Sequence, residues 1–264
     1  METNQYLTEY YNRGGEDGRL ASQHGLVEFL TTMRYIKRYA KPNNRIIDIG
    51  TGTGRYAHAL AKQGYCVDAV ELVQHNIDVF RQNTDLGEQV TIMQGNALEL
   101  SAFADNTYEI TLLFGPMYHL FTKEDKLQAL REATRVTKQG GVVFAAYCIS
   151  DASILVSGFI QKGFCIEEYI EKGYIDPQTF SASSEPSLIF EIVRKEHIDD
   201  LIAELPVSRL HYIASDGYAF HMKKEIDAMN DAEFALFMQY HFATCERGDM
   251  VGLTAHSLDI FRKD

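Results

Sequence analysis

Three glycines, Gly50, Gly52 and Gly54, alternate with threonines in the stretch RIIDIGTGTGRYAHALAKQGYCVDAVEL, between strand-forming positions and a helix-forming run. Glycines so spaced let a ligand approach the backbone where a side chain would obstruct it. A triphosphate loop requires a Gly-Lys-Ser/Thr ending, so that a lysine reaches the terminal phosphates. Arg55 and Tyr56 follow Gly54 instead. The dinucleotide pattern Gly-x-Gly-x-x-Gly would place its third glycine where this chain has Arg55. Asp48, just before the loop, opposes a phosphate and suits a ligand carrying an ammonium and a sulfonium.

The flanking elements must hold that loop. LVEFLTTMRYIKRYA (26–40) spaces its apolar residues as an amphipathic helix does, and KPNN breaks it. RIIDIG is a first strand, RYAHALAKQG a helix capped by Gly64, YCVDAVEL a second strand, VQHNIDVFRQNT a helix and QVTIMQGNAL a third strand. YEITLLFG is a fourth strand. TKEDKLQALREATRVTKQGG reads as a helix from an N-cap at Thr122 to the glycines Gly140 and Gly141, and VVFAAYCI as the fifth strand. RKEHIDDLIAEL is a later helix, VSRLHYIAS a sixth strand and HSLDIFRK a last strand. Strands alternating with helices imply right-handed crossovers and a sheet covered on both faces. The expected fold is α/β: one domain over 1–264 with a doubly wound, mostly parallel seven-stranded sheet. Helical insertions are expected at 151–187, after the fifth strand, and at 217–252, after the sixth. In the second, Phe234, Phe237, Met238, His241 and Cys245 share one helix face, which suits core packing or a lid.

DIGTGTGR with VDAVEL after it resembles the first two motifs of class I S-adenosylmethionine-dependent methyltransferases, which have a Rossmann-like fold. The resemblance runs from about Leu26 to Tyr147 and weakly into the C-terminal strands. It implies S-adenosylmethionine as cofactor, with the glycine loop beside its methionine part and Glu71 accepting from both ribose hydroxyls. Asn96, in Gly95-Asn96-Ala97, stands where the family usually has an aspartate near the adenine. The implied cofactor contacts are Asp48, Gly50, Thr51, Gly52, Gly54, Glu71, Leu72, Asn96, Ala97 and Phe114. YYNRGGEDGRL resembles an N-terminal lid within 1–25, with Tyr10, Tyr11 and Arg19 folding over the cofactor. FGPMYHL resembles the Gly-Pro-x-Tyr-His-Leu segment of a bacterial small-molecule subgroup.

Methyl transfer is an in-line displacement with an excellent leaving group, so alignment and exclusion of water are the main demands. A base is needed only where the acceptor must lose a proton. His119 is the base candidate, with capping of the following helix as its structural alternative. Tyr118 either orients the acceptor or packs. FGP is not the NPPY or DPPY that holds a flipped-out base. A net charge of −12 and a pI near 5.2 also argue against a nucleic-acid partner.

A small-molecule acceptor is therefore expected. An RNA or protein methyltransferase and a non-catalytic cofactor-binding protein are the alternatives. His75, His197, His211, His221, His241 and His256 show no ligand spacing, so no metal is expected. The four scattered cysteines read as free thiols. With no apolar leader or membrane span, a cytoplasmic protein is expected. Aromatic residues in the two insertions (Phe159, Phe164, Tyr169, Tyr174, Phe180, Phe234, Phe237 and Tyr240) suit a partly apolar acceptor, internal packing or a homodimer interface.

Overall fold

The computed structural model describes residues 3–14 and 22–264. The strands are β1 (Arg45–Ile49), β2 (Cys66–Glu71), β3 (Val90–Gln94), β4 (Tyr108–Leu113), β5 (Thr137–Ile149), β6 (Ile192–Val193), β7 (Val207–Ala214) and β8 (His256–Lys263). They form a sheet in the order β3-β2-β1-β4-β5-β8-β7. β1 to β5 pair in parallel, and β8 runs antiparallel between β5 and β7.

Alternation along the strands builds two apolar layers, as the two-residue pleat requires. Ile46, Val67, Ala69, Ile110, Leu112 and Phe144 meet Met33 and Ile36 of the helix Gln23–Tyr39 and Leu60 of the helix Arg55–Ala61. Ile47, Ile49, Leu113, Val143 and Tyr147 meet Leu127 and Leu130 of the helix Lys123–Val136 and Ile198 of the helix Lys195–Ile202. The sheet is thus covered on both faces, as expected of a doubly wound fold.

The structure corrects the sequence reading in several places. The seven expected strands are joined by an eighth: β6, two residues long, pairs in parallel with Cys148–Ile149 at the end of β5. The helix beginning at the Thr122 cap ends at Val136, not at Gly141. Thr137 already belongs to β5, its Oγ1 bonding the Ala133 carbonyl at 2.6 Å and the Thr111 hydroxyl at 2.6 Å. The glycine pair instead lies where β5 bulges against β4, with Tyr108 opposite Thr137 but Ile110 opposite Val142. A Cβ on Gly141 would fall 3.0 Å from the Glu109 carbonyl oxygen and 2.7 Å from Thr137 Cγ2.

The helix Asp231–Thr244 buries Met238 and His241, but its outer face is not polar: Leu236 is 67% and Tyr240 50% exposed. It packs with Val27, Ala219 and Ile226, against the helix Gln23–Tyr39. No helix among the described residues is long and apolar enough to cross a membrane.

Gly141→Ala should destabilise the protein by about 1–3 kcal/mol, because backbone atoms of β4 and β5 would have to part. Denaturant unfolding measures this, and an unchanged midpoint would show that the bulge absorbs a methyl group freely.

Candidate functional site

Beyond the carboxyl ends of β1, β2, β4 and β5 lies a cavity of about 780 Å³, the place where open α/β sheets bind ligands. The turn leaving β1 forms its floor. The amides of Gly50 and Thr51 donate to the Val70 carbonyl at 2.8 and 3.1 Å, strapping the turn to β2. Gly50, Gly52 and Gly54 all have positive φ, at 72°, 57° and 94°, which glycine alone adopts without strain. Their surroundings differ. A Cβ on Gly50 would sit 2.4 Å from Pro116 Cδ, and one on Gly54 2.5 Å from Phe80 and 2.6 Å from His58. A Cβ on Gly52 would meet no protein atom within 4 Å. Gly50 and Gly54 therefore pack closely against side chains, whereas Gly52 borders open space on the cavity wall.

Glu71, at the end of β2, is buried. It accepts from the Gly52 amide at 2.9 Å, the Val73 amide at 2.9 Å and Asn76 Nδ2 at 3.3 Å. Burial raises its pKa and these donors only partly offset the rise. Asp48 accepts from Thr51 Oγ1 at 2.7 Å. Burial, with the Glu71 charge adding to it, lifts its carboxyl to about 7. Two desolvated carboxylates beside one cavity favour a cationic ligand over an anionic one. Asn96 lies past β3 with its Oδ1 accepting from the Leu98 amide at 3.0 Å, leaving one lone pair and the NH₂ group for a ligand.

Asp48, Gly50, Thr51, Gly52, Glu71, Leu72, Asn96, Ala97 and Phe114 all line this cavity, together with Tyr10, Tyr11, Tyr118 and His119. Gly54 does not: it packs against Phe80 and His58. Arg19 lies outside the described residues.

Across the cavity, His119 Nδ1 is 2.8 Å from the Ile189 carbonyl and Nε2 is 2.8 Å from the Tyr11 hydroxyl. A carbonyl can only accept, so Nδ1 carries the proton and Nε2 accepts from Tyr11. Burial pushes the imidazole pKa down to about 4 against the opposing effect of the Ile189 bond. His119 is therefore neutral near pH 7; it does not cap the helix that follows, whose N-cap is Thr122. The Glu191 amide donates to the Tyr118 carbonyl at 2.6 Å, so residues 189–191 brace both members of the Tyr118-His119 pair. A buried ion pair, Lys126 Nζ to Glu191 Oε1 at 2.7 Å, fixes that brace to the helix Lys123–Val136.

Other wall residues had no signature in the sequence. Glu28 and His256 line the cavity, with Asp216 bonded to His256 behind them. Burial opposes a charge on His256, yet Glu28, Cys148 and Asp216 hold its pKa well above the usual histidine value. Glu28, Asp216 and His256 are far apart in the chain, and only β8 pairing between β5 and β7 brings the last two together. The first insertion contributes Ile154, Phe164, Tyr169 and Tyr174 to the wall; the second contributes Phe220. Phe159, Phe180, Phe234, Phe237 and Tyr240 are not on it.

The His119 environment gives a pH signature. In the unfolded chain its pKa returns towards 6.5, against about 4 in the fold. Between these values the unfolded chain binds a proton that the folded chain refuses. The contribution is full above pH 6.5 and is lost as pH falls towards 4. Replacing His119 by Gln should therefore reduce the slope of unfolding free energy against pH by about 1.4 kcal/mol per unit in that window. Denaturant unfolding from pH 4.5 to 6 measures it, and an unchanged slope would show that His119 titrates normally.

Comparison with known proteins agrees with this geometry. Residues 46–141 match the model of a methyltransferase domain family. Demethylmenaquinone methyltransferase of Bacillus cereus (strain AH187) is 32% identical over 146 residues, 53% of this chain and 57% of the relative. The chain thus spans little more than half the length of that curated relative. A methyltransferase of Thermotoga maritima, S-adenosylmethionine-dependent by its description, superposes over 100% of both chains with a TM-score of 0.62 at 18% identity. Magnesium protoporphyrin IX methyltransferase of Synechocystis PCC 6803, solved with bound S-adenosylhomocysteine, does so over 100% of both chains with a TM-score of 0.59 at 11% identity. These structures share the fold. With its glycine turn, its acid at the end of β2 and this sheet order, the chain has the fold of S-adenosylmethionine-dependent methyltransferases, and residues 46–141 match a methyltransferase domain.

Proposed function

We propose that this protein transfers a methyl group from S-adenosylmethionine to a small molecule held in the cavity. The observation that carries the proposal is a single continuous cavity reaching from Gly52 and Glu71 to His119, Glu28 and His256. The residues fit the cofactor: Gly52 offers open space, Glu71 and Asn96 offer polar groups for the adenosine, and Asp48 offers a carboxylate for the cationic end. The cofactor supplies a sulfonium-bound methyl group open to in-line displacement. The protein's part is to align the acceptor and exclude water.

Tyr10 and Tyr11 of the helix Thr3–Tyr11 close one side of the space, and the first insertion closes another. Phe164, Tyr169 and Tyr174 give that wall an apolar character. The curated relative acts, by its name, on demethylmenaquinone; for this chain the proposal is a small molecule with an apolar part. In this reading Tyr118 and His119 border the acceptor. His119 Nε2 is committed to Tyr11, so a proton leaving the acceptor would reach it through that hydroxyl. An RNA or protein acceptor would need an open, basic surface, and among the described residues only Arg55 adds a permanent positive charge to the cavity wall.

Calorimetry with S-adenosylhomocysteine should show saturable binding to the unaltered protein. Glu71→Ala should weaken it by about 1.5–3 kcal/mol, the worth of charge-assisted hydrogen bonds. Gly52→Val should abolish it with the far-UV circular dichroism retained, since the added carbons enter open space. Binding of NAD in place of S-adenosylhomocysteine, or normal binding by the Gly52 variant, would contradict the assignment.

For the acceptor, a metabolite extract incubated with methyl-labelled cofactor should yield label in a small organic product. Label recovered only in RNA or protein would replace the small-molecule acceptor with a macromolecular one.

A further inference from the structure

We propose that Glu28, Asp216 and His256 form a divalent-cation site on the acceptor side of the cavity. The site is separate from the residues available to the cofactor. Each residue offers one donor atom, and the three atoms lie within 4.8 Å of one another. His256 Nδ1 is 2.8 Å from Asp216 Oδ2 and 3.5 Å from Glu28 Oε2. Around a cation bound at roughly 2.0–2.2 Å, neighbouring donors stand about 3 Å apart and opposite ones about 4 Å, so these separations admit an ion.

The donors sit on three elements that the fold holds rigidly: the helix Gln23–Tyr39, the turn after β7 and the first residue of β8. Asp216 is the anchor. Its Oδ1 accepts from the Ala255 amide at 3.0 Å, the His256 amide at 3.2 Å and the Thr254 hydroxyl, which turns Oδ2 towards His256. Support of this kind is what orients a ligating carboxylate. Two carboxylates and one imidazole favour Mn²⁺, Fe²⁺ or Zn²⁺ over the all-oxygen ions and over soft thiolate-seeking ones. A cation would take the place of the proton between Nδ1 and the carboxylates.

Glu28 and His256 both face the cavity, so the remaining coordination positions open onto the acceptor space. Resting on the small-molecule reading, this narrows the acceptor class to molecules that chelate through oxygen, such as a hydroxyl beside a carbonyl. The ion would fix the two oxygens and acidify the hydroxyl.

The site can be tested without methyl transfer, so its failure is distinct from failure of the methyltransferase reading. Mn²⁺ is titrated as its chloride into the full-length chain, and loss of the electron paramagnetic resonance signal of free Mn²⁺ reports binding. One saturable site per chain is expected, with pulsed measurements showing nitrogen modulation from one imidazole. His256→Gln should weaken binding at least tenfold and remove that modulation. Glu28→Gln should weaken binding at least tenfold and keep it. Circular dichroism confirms that each variant folds; Asp216 is left intact because it also holds the Thr254–His256 backbone. Absence of saturable binding, or binding and modulation unchanged in His256→Gln, would overturn the proposal and leave the three groups an ion cluster only.

Discussion

The Gly52 amide and the Glu71 carboxylate meet at 2.9 Å, and most of the cavity depends on that contact. A carboxylate at the end of one strand thereby holds the turn leaving its parallel neighbour. Its other oxygen holds the Val73 amide and Asn76, at the start of the next helix. The Val70 carbonyl, one residue before Glu71, takes the amides of Gly50 and Thr51. The turn is thus tied at both ends to β2, and Gly52 is left with open space above it rather than packing. Pro116, touching Gly50 from beyond β4, sets the position of Tyr118 and His119 by the same contact. Cofactor side and acceptor side share one rigid floor.

That floor is electrostatically costly. Asp48 and Glu71 are both desolvated, the Glu71 charge raises the Asp48 pKa further, and the hydrogen bonds each accepts offset the rise only in part. A ligand bearing positive charge would relieve it, which is a physical reason for this turn to hold a sulfonium cofactor and not a pyrophosphate. Across the cavity the arrangement is reversed. His119 is kept neutral by burial and oriented by one carbonyl, whereas His256 stays charged between carboxylates. Two histidines on one wall therefore present a hydrogen-bonded lone pair and a cationic centre.

Much of this was legible in the residues. The β-branched runs and the glycine turns gave β1 to β5 in order, because their contacts are local or between neighbouring strands. Glu71 could be placed because it ends β2, and Asn96 because it follows closely on the end of β3. What failed followed from contacts distant in the chain. The helix from Thr122 stops at Val136 because Thr137 finds Thr111 on β4, which no propensity reports. β6 is too short to carry a pattern and exists only through its pairing with β5. Gly54, read as part of the ligand turn, is not on the cavity wall, and Phe80 and His58 fill the space beside it. The cluster of Glu28, Asp216 and His256 has no spacing to read. It arises because β8 enters antiparallel between β5 and β7 and brings its first residue over the cavity.

The central claim is that the crevice above Gly52 holds S-adenosylmethionine with its reactive carbon turned into the cavity. A crystal structure with S-adenosylhomocysteine tests it most directly. The account predicts the ribose at Glu71, the adenine near Asn96, and the sulfur facing the cavity bounded by His119 and Glu28. A sulfur facing a broad, open surface, or a ligand bound away from the Gly50–Gly52 turn, would contradict it.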